Sequence, residues 1–181
     1  MTEKNTTQEY DAIIKVCKDI FLKKNHDYGP AWRILRASSI TDQLFIKAKR
    51  IKTLEEKKVA KILESEIGEY IAIVNYAIIG MIQLEWGESP NLIISSTLIE
   101  EVYDRLINET KNLMFAKNHD YGEAWRDMRI SSLTDLILMK IMRVKQIENH
   151  DGSTLISEGI KSNYQDMLNY AVFALIKLNV N

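Results

Sequence analysis

The sequence contains little cysteine, proline or glycine, and each scarcity narrows what the protein can be. Its 181 residues include one cysteine, Cys17, which excludes an intramolecular disulfide and a zinc cluster built on cysteines. A single cysteine also fits a reducing cytoplasm. Only two prolines and seven glycines punctuate the chain, so long helices are favoured over a fold rich in turns.

The chain also lacks an excess of charge of either sign. Lysine and arginine total 24, aspartate and glutamate total 25, and no stretch forms a basic tract, so we expect no duplex nucleic acid as partner. The first residues, MTEKNTTQEY, lack the apolar core of a signal peptide. The most apolar window, IAIVNYAIIGMIQL, is shorter than the roughly 20 residues that a membrane span needs. We therefore predict a soluble, cytoplasmic protein without a membrane partner.

One peptide occurs twice. KNHDYGPAW occupies residues 24–32 and KNHDYGEAW occupies residues 117–125, with only Pro30 and Glu123 differing. Many other residues recur at the same offset of 93 positions, whereas Asn75 and Asn169 are 94 apart, which indicates one inserted residue in the segment ENHDGST. The chain is therefore interpreted as a tandem duplication, with copy one at 1–88 and copy two at 95–181, packed as one globular unit.

Apolar residues recur at three- and four-residue spacing, which is typical of helices with one buried face. The third helix of each copy, around IVNYAIIGMI and MLNYAVFALI, is apolar nearly all round and needs cover on several sides. We predict an all-α fold in which two three-helix repeats pack as a bundle about a pseudo-twofold axis. The predicted helices are 8–24, 41–54 and 59–84 in copy one, and 98–117, 134–147 and 155–178 in copy two.

The repeated peptide carries the first functional signal. A glycine that closes the first helix in a left-handed cap would explain Gly29 and Gly122 but not the residues around them. Two aromatics, a carboxylate and an imidazole offer stacking faces and hydrogen bonds to a flat, charged ligand such as a nucleotide. The predicted ligand-binding residues here are His26, Asp27, Tyr28 and Trp32, recurring as His119, Asp120, Tyr121 and Trp125.

Pairs of cations on the second helices are the next signal. Lys47 and Arg50 recur as Lys140 and Arg143, and residues three apart share a helix face. Three interpretations stay open: both cations reach to solvent from an apolar helix, or they bind a carboxylate of the third helix, or they bind a phosphate.

The third helix of copy two carries oxygen-bearing side chains at a spacing that predicts one helix face: Glu158, Ser162, Asp166 and Asn169. Asn75 and Asn169 each interrupt an apolar run, where an unpaired amide would cost about 1–3 kcal/mol, so both are predicted to bind a ligand. Carboxylate and amide oxygens of this kind suit Mg²⁺. Copy one has Ala72 in place of Asp166, so a metal is expected to prefer copy two.

The blocks KNHDYG, SSLTDLILMKIMRV and SEGIKSNYQDMLNYAV, in that order, resemble the nucleotide modification associated domain family. They also resemble, more distantly, the all-α nucleoside triphosphate pyrophosphohydrolases of the MazG kind. The resemblance implies a helical bundle whose acidic residues hold Mg²⁺ against a nucleotide polyphosphate. The chain departs from the pyrophosphohydrolase pattern of two acidic pairs, because the second helix offers only Asp42 or Asp135 and the third offers Asp166 with Asn169.

Two functions follow from these residues. In the first, a nucleotide-binding protein acts as a Mg²⁺-dependent pyrophosphohydrolase, with Glu158, Asp166 and Asp135 holding the metal. Glu158 and Asp166 would activate water through it, while Lys140 and Arg143 neutralise the leaving pyrophosphate. In the second, a non-catalytic helical module binds a nucleotide or a protein partner. A second copy of the chain is left open as a partner in both.

Overall fold

The structure is a computed structural model that describes residues 5–57, 63–155 and 158–180. These residues form helices and connecting segments without a strand, so the predicted all-α class is confirmed. Two short 3-10 helices, Ala31–Ile34 (η1) and Ala124–Asp127 (η2), follow the first helix of each copy and were not predicted. The elements are α1 (Thr6–Tyr28), η1 (Ala31–Ile34), α2 (Ala37–Lys57), α3 (Leu63–Trp86), α4 (Ser96–Tyr121), η2 (Ala124–Asp127), α5 (Ile130–Asn149) and α6 (Ile160–Lys177).

All six predicted helices are present, and their ends differ from the prediction for local reasons. The first helix of each copy begins at a side-chain cap, Asn5 in α1 and Ser95 in α4, and runs about one turn further than predicted. The prediction was wrong at the start of α6, which begins at Ile160 after the extended residue Gly159 rather than at residue 155. The predicted start of the third helix at residue 59 lies outside the described residues.

The two third helices, α3 and α6, pack against each other at the centre of the bundle. α2 packs on α3, α5 packs on α6, and α2 and α5 also contact each other, while α1 and α4 cover the outside. By length and composition, Glu66–Trp86 in α3 could cross a membrane, but 72% of its most apolar window is buried inside the bundle. Its apolar character on every side is therefore explained by helices packed around it.

The two copies are joined by contacts that occur in pseudo-symmetric pairs. In one hydroxyl network, Tyr70 and Thr134 place their oxygens 2.6 Å apart, and Thr134 donates to Glu55 at 2.8 Å. The mirror network consists of Tyr164, Thr41 and Glu148, with distances of 2.6 and 2.7 Å.

Ion pairs between the copies are mirrored as well: Lys18 with Asp104, Lys111 with Asp11, Lys52 with Asp135, and Lys145 with Asp42. The duplicated chain thus packs as the predicted pseudo-twofold bundle.

Candidate ligand-binding site

The repeated peptide forms the end of a helix and the turn after it. Gly29 ends α1 with φ 66° and ψ −169°, and Gly122 ends α4 with φ 63° and ψ −160°. Only glycine adopts this backbone region readily, so the predicted role of the glycines as helix terminators is confirmed. Their ψ values are extended rather than those of a left-handed helix, and the chain therefore turns away from the helix axis into η1 or η2.

A buried glutamine holds η1 in place. Gln83 Nε2 donates to the carbonyl oxygens of Arg33 at 2.9 Å and Leu35 at 2.7 Å. Arg33 is itself buried and donates to the Gly87 carbonyl oxygen at 2.8 Å, so η1 is tied to the end of α3. Sequence reasoning missed Gln83, although a polar residue inside the apolar run IIGMIQL was a detectable signal. These bonds fix the position of Trp32 beside α3.

Copy one contains a cavity of about 490 Å³ between α1, η1 and α3. This volume lies within the range usual for small-molecule sites. The repeated peptide supplies one side and α3 supplies the other, so the structure brings together two of the sequence signals. Lining residues from the peptide are Lys24, Asn25, Tyr28, Gly29, Ala31 and Trp32, and those from α3 include Gly68, Ala72, Asn75 and Tyr76.

Asn25 gives the cavity an unused hydrogen-bond acceptor. Its Oδ1 atom is buried and has no hydrogen-bond partner among the described residues. A buried carbonyl oxygen without a partner is costly, and a ligand that donates to it would remove that cost. Asn25 belongs to the repeated peptide, but the sequence analysis did not single it out.

The equivalent positions of copy two contact one another. The Trp125 ring stacks on Phe173 with centroids 4.3 Å apart and planes 5° from parallel, and Trp125 is only 5% exposed. The residue of copy one that corresponds to Phe173 is Ile79, which lines the cavity. Trp32 is only partly buried. The two copies therefore differ where the repeated peptide faces the third helix.

The histidines and aspartates of the repeated peptide do not line the cavity. The His26 and Asp27 side chains are 89% and 72% exposed, and His26 Nδ1 lies 3.5 Å from Asp27 Oδ1. His119 and Asp120 in copy two repeat this arrangement, with the two atoms 3.2 Å apart. Tyr121 is also exposed, whereas Tyr28 is exposed but lies at the edge of the cavity. Of the residues predicted in this motif, only Tyr28 and Trp32 line the cavity.

Three of the four predicted cations on the second helices bind carboxylates of the third helices, one of the three interpretations left open by the sequence. In copy one, Lys47 and Arg50 lie 3.4 and 2.7 Å from the two oxygens of buried Glu69. In copy two, Lys140 Nζ lies 2.7 Å from Asp166. The two acids are not equivalent in sequence, since Glu69 corresponds to Asn163 in copy two.

Asp166 is held by two lysines. Lys117 Nζ lies 2.5 Å from its Oδ1 atom, and Lys140 Nζ lies 2.7 Å from its Oδ2 atom. Burial by itself would lower the pKa of Lys117, but the hydrogen bond to Asp166 and the negative charge of Asp166 together act in the opposite direction, and that pKa is raised. Both oxygens of this carboxylate are therefore used within the protein.

The two buried asparagines bind protein atoms. Asn75 accepts from Tyr103 at 2.9 Å and donates to the Cys17 carbonyl oxygen at 3.0 Å. Asn169 accepts from Tyr10 at 2.8 Å and donates to the Thr110 carbonyl oxygen at 3.2 Å. These bonds explain why two amides lie inside apolar helices. The sequence analysis had assigned both amides to a ligand, because the tyrosines that face them come from distant helices.

The residues predicted to hold Mg²⁺ do not converge. Glu158 precedes α6 and is exposed, so the predicted helix face that joined it to Asp166 is wrong. It lines a broad depression with Arg143, while Asp135 pairs with Lys52 at 3.1 Å. Among the residues that the structure describes, no group of three or more histidine, cysteine or acidic side chains could hold a metal ion. Since two ammonium groups already neutralise Asp166, this donor set does not fit Mg²⁺.

Comparison with known families supports the duplication independently. A family model described as nucleotide modification associated domain 1 matches the chain twice, over residues 24–84 and residues 117–178. The two matches start 93 positions apart, which is the offset of the repeated peptide. No curated protein and no solved structure matches the chain.

Proposed function

We propose that this chain, which belongs to the nucleotide modification associated domain 1 family, binds a nucleotide in the cavity of copy one. The observation that carries the proposal is the cavity itself, about 490 Å³ in volume, with the repeated peptide along one side. Because copy two uses the equivalent residues for internal contacts, the proposal is one binding site in each chain.

The lining residues suit the parts of a nucleotide. Trp32 and Tyr76 offer aromatic faces on which a base can stack, and Ile71 and Ile79 give apolar walls. The unused Oδ1 atom of Asn25 would accept a hydrogen bond from an amino group of the base or a hydroxyl of the sugar. Lys24 supplies a positive charge at the same cavity. Binding would thus use residues that the duplication keeps in both copies together with residues found only in copy one.

Binding without hydrolysis is the form of the proposal that the geometry favours. Asp166, the central acid of the expected metal site, binds two lysines, and Glu158 and Asp135 lie elsewhere. The Mg²⁺-dependent pyrophosphohydrolase implied by the resemblance stays a prediction. Its test is pyrophosphate release from nucleoside triphosphates with Mg²⁺ or Mn²⁺, by the wild type and by Asp166→Ala. Release that depends on Asp166 would replace binding with hydrolysis as the function.

Tryptophan fluorescence tests the site directly, because each copy carries one tryptophan in the repeated peptide. We expect nucleotides, titrated as mono-, di- and triphosphates of each base, to change the emission of the wild type. Trp32→Phe should remove that change, and Trp125→Phe, the matched control in copy two, should keep it. Calorimetry should give one site per chain. If no nucleotide produces heat or a fluorescence change, the proposed function is wrong.

A further inference from the structure

Each copy places two lysines at equivalent positions facing its third helix. Lys24 and Lys117 belong to the repeated peptide, and Lys47 and Lys140 belong to the second helices. In copy two, both lysines contact the single carboxylate of Asp166, at 2.5 and 2.7 Å. One anionic group therefore lies between two ammonium groups at this point of copy two.

Copy one lacks that carboxylate. The position equivalent to Asp166 is Ala72, which lines the cavity together with Lys24. Lys47 reaches Glu69 instead, at the longer distance of 3.4 Å, and shares it with Arg50. The methyl group of Ala72 therefore occupies the position at which copy two has a carboxylate between two lysines. The cavity lies beside this methyl group.

The aromatic contact also differs between the two copies, and again copy two carries the larger side chain. In copy two, the ring of Phe173 covers Trp125 in a parallel stack. In copy one, the equivalent residue is Ile79, and the space in front of Trp32 belongs to the cavity. Asp166 and Phe173 are seven residues apart in α6, or about 10 Å along the helix. Copy two therefore contains an anion and a flat ring, two turns apart, where copy one contains a cavity.

We propose that Asp166 and Phe173 occupy in copy two the places that the phosphate and the base of a bound nucleotide occupy in copy one. This inference rests on the proposed function and specifies it. Lys24 binds the phosphate beside Ala72, and the base lies against Trp32 and Ile79. The equivalent space in copy two is closed to ligand because the Asp166 and Phe173 side chains fill both subsites. A charge-assisted hydrogen bond from Lys24 makes the phosphate a source of affinity.

The first test inserts the internal anion into copy one. Ala72→Asp places a carboxylate in the cavity that Lys24 also lines, and Ala72→Asn is the matched control of similar size without charge. Calorimetry with nucleoside 5′-monophosphates, the corresponding nucleosides and inorganic phosphate separates the two subsites. We expect the wild type to bind a monophosphate at least 10-fold more tightly than its nucleoside. Ala72→Asp should lose most of that difference and still bind the nucleoside, whereas Ala72→Asn should keep it.

The second test opens copy two. Asp166→Ala combined with Phe173→Ile gives copy two the residues of copy one at these two positions, and we expect the number of nucleotide sites to rise from one to two. Phe173→Ile alone, which leaves Asp166 between its lysines, should keep one site. Circular dichroism confirms that each variant is folded.

The possible failures are distinguishable. If the wild type binds neither nucleotide nor nucleoside, the proposed function and this inference both fail. If it binds both equally and Ala72→Asp changes neither, the cavity binds nucleosides but the phosphate subsite is wrong. If inorganic phosphate binds as tightly as the nucleotide, the base subsite is wrong. A double variant that folds and still has one site would overturn the equivalence of the two copies.

Discussion

Tyr103 of copy two donates its hydroxyl hydrogen to Asn75 Oδ1 of copy one at 2.9 Å. The mirror contact runs from Tyr10 to Asn169 at 2.8 Å, and all four residues are buried. Each tyrosine lies in the first helix of one copy, and each asparagine lies in the third helix of the other. The amides therefore join the two copies, and their loss should be felt in the stability of the whole bundle.

Removing one of these hydroxyls should destabilise the protein. Tyr103→Phe leaves a buried carbonyl oxygen of Asn75 without its donor, at a cost of about 1–3 kcal/mol. Tyr10→Phe should cost a similar amount through Asn169. Chemical denaturation measures both effects, with Tyr28→Phe, whose side chain is largely exposed, as the control. Unfolding of Tyr103→Phe at the wild-type denaturant concentration would show that this bond adds nothing.

Gly80 is required by the close approach of a ring. A Cβ atom at this position would lie 2.8 Å from Cε2 of Tyr164, whose hydroxyl bonds Thr41 across the copies. Gly80→Ala should push Tyr164 aside and destabilise the protein by about 1–3 kcal/mol. Gly68→Ala is the matched control in the same helix, because its added Cβ meets no other part of the described residues within 4 Å beyond its own stretch of helix. This control should gain up to about 1 kcal/mol from helix propensity, and thermal melting of both variants checks the contrast.

The half-buried carboxyls of the hydroxyl networks should make stability depend on pH. Desolvation raises the pKa of Glu55 and of Glu148 above the ordinary 4.5 in the folded protein. Their contribution to stability is therefore full below the unfolded pKa and is lost as pH rises through the folded pKa. Glu55→Gln with Glu148→Gln keeps the acceptor oxygens and removes the charge. The melting temperature of this variant, relative to the wild type, should rise between about pH 4 and pH 7.

Glu109 provides a control of opposite sign. Its hydrogen bonds with Lys161 and with Arg105 lower the pKa of this carboxyl below its ordinary value, against the opposing effect of burial. The stability it contributes is present above the unfolded pKa and is lost as pH falls through the folded pKa. Glu109→Gln should therefore lose melting temperature relative to the wild type as pH rises from about 3 to 5. The same trend in both sets of variants would contradict the assignment.

Alanine substitutions at the glycines that end α1 and α4 should distinguish an effect on stability from an effect on nucleotide binding. Gly29 and Gly122 have φ values of 66° and 63°, so alanine at either position should cost about 1–3 kcal/mol of stability. Only Gly29 lines the cavity. We expect Gly29→Ala to weaken nucleotide binding in calorimetry and Gly122→Ala to leave it unchanged. Equal weakening by both variants would argue against a single site in copy one.

The sequence by itself determined the duplication, the all-α class and the six helices, because these follow from exact repetition and from periodicity within one segment. It also identified the buried polar residues Asn75 and Asn169, since each interrupts an apolar run. Tertiary structure alone decided their partners. The tyrosine that faces Asn75 and the lysines that face Asp166 come from helices that are distant in the chain. Their positions depend on the register in which those helices pack, and the spacing of residues within one helix carries no information about that register.

The presence of an open cavity in copy one is likewise a property of the tertiary structure. Comparison of the two copies in sequence indicated that copy two is the functional half, because only copy two has Asp166. The packed structure shows instead that Lys117 and Lys140 neutralise this acid. A side chain with ligand chemistry is available to a ligand only when no internal partner reaches it first. Copy one has a small residue, Ala72, at that position, and Ala72 lines the cavity.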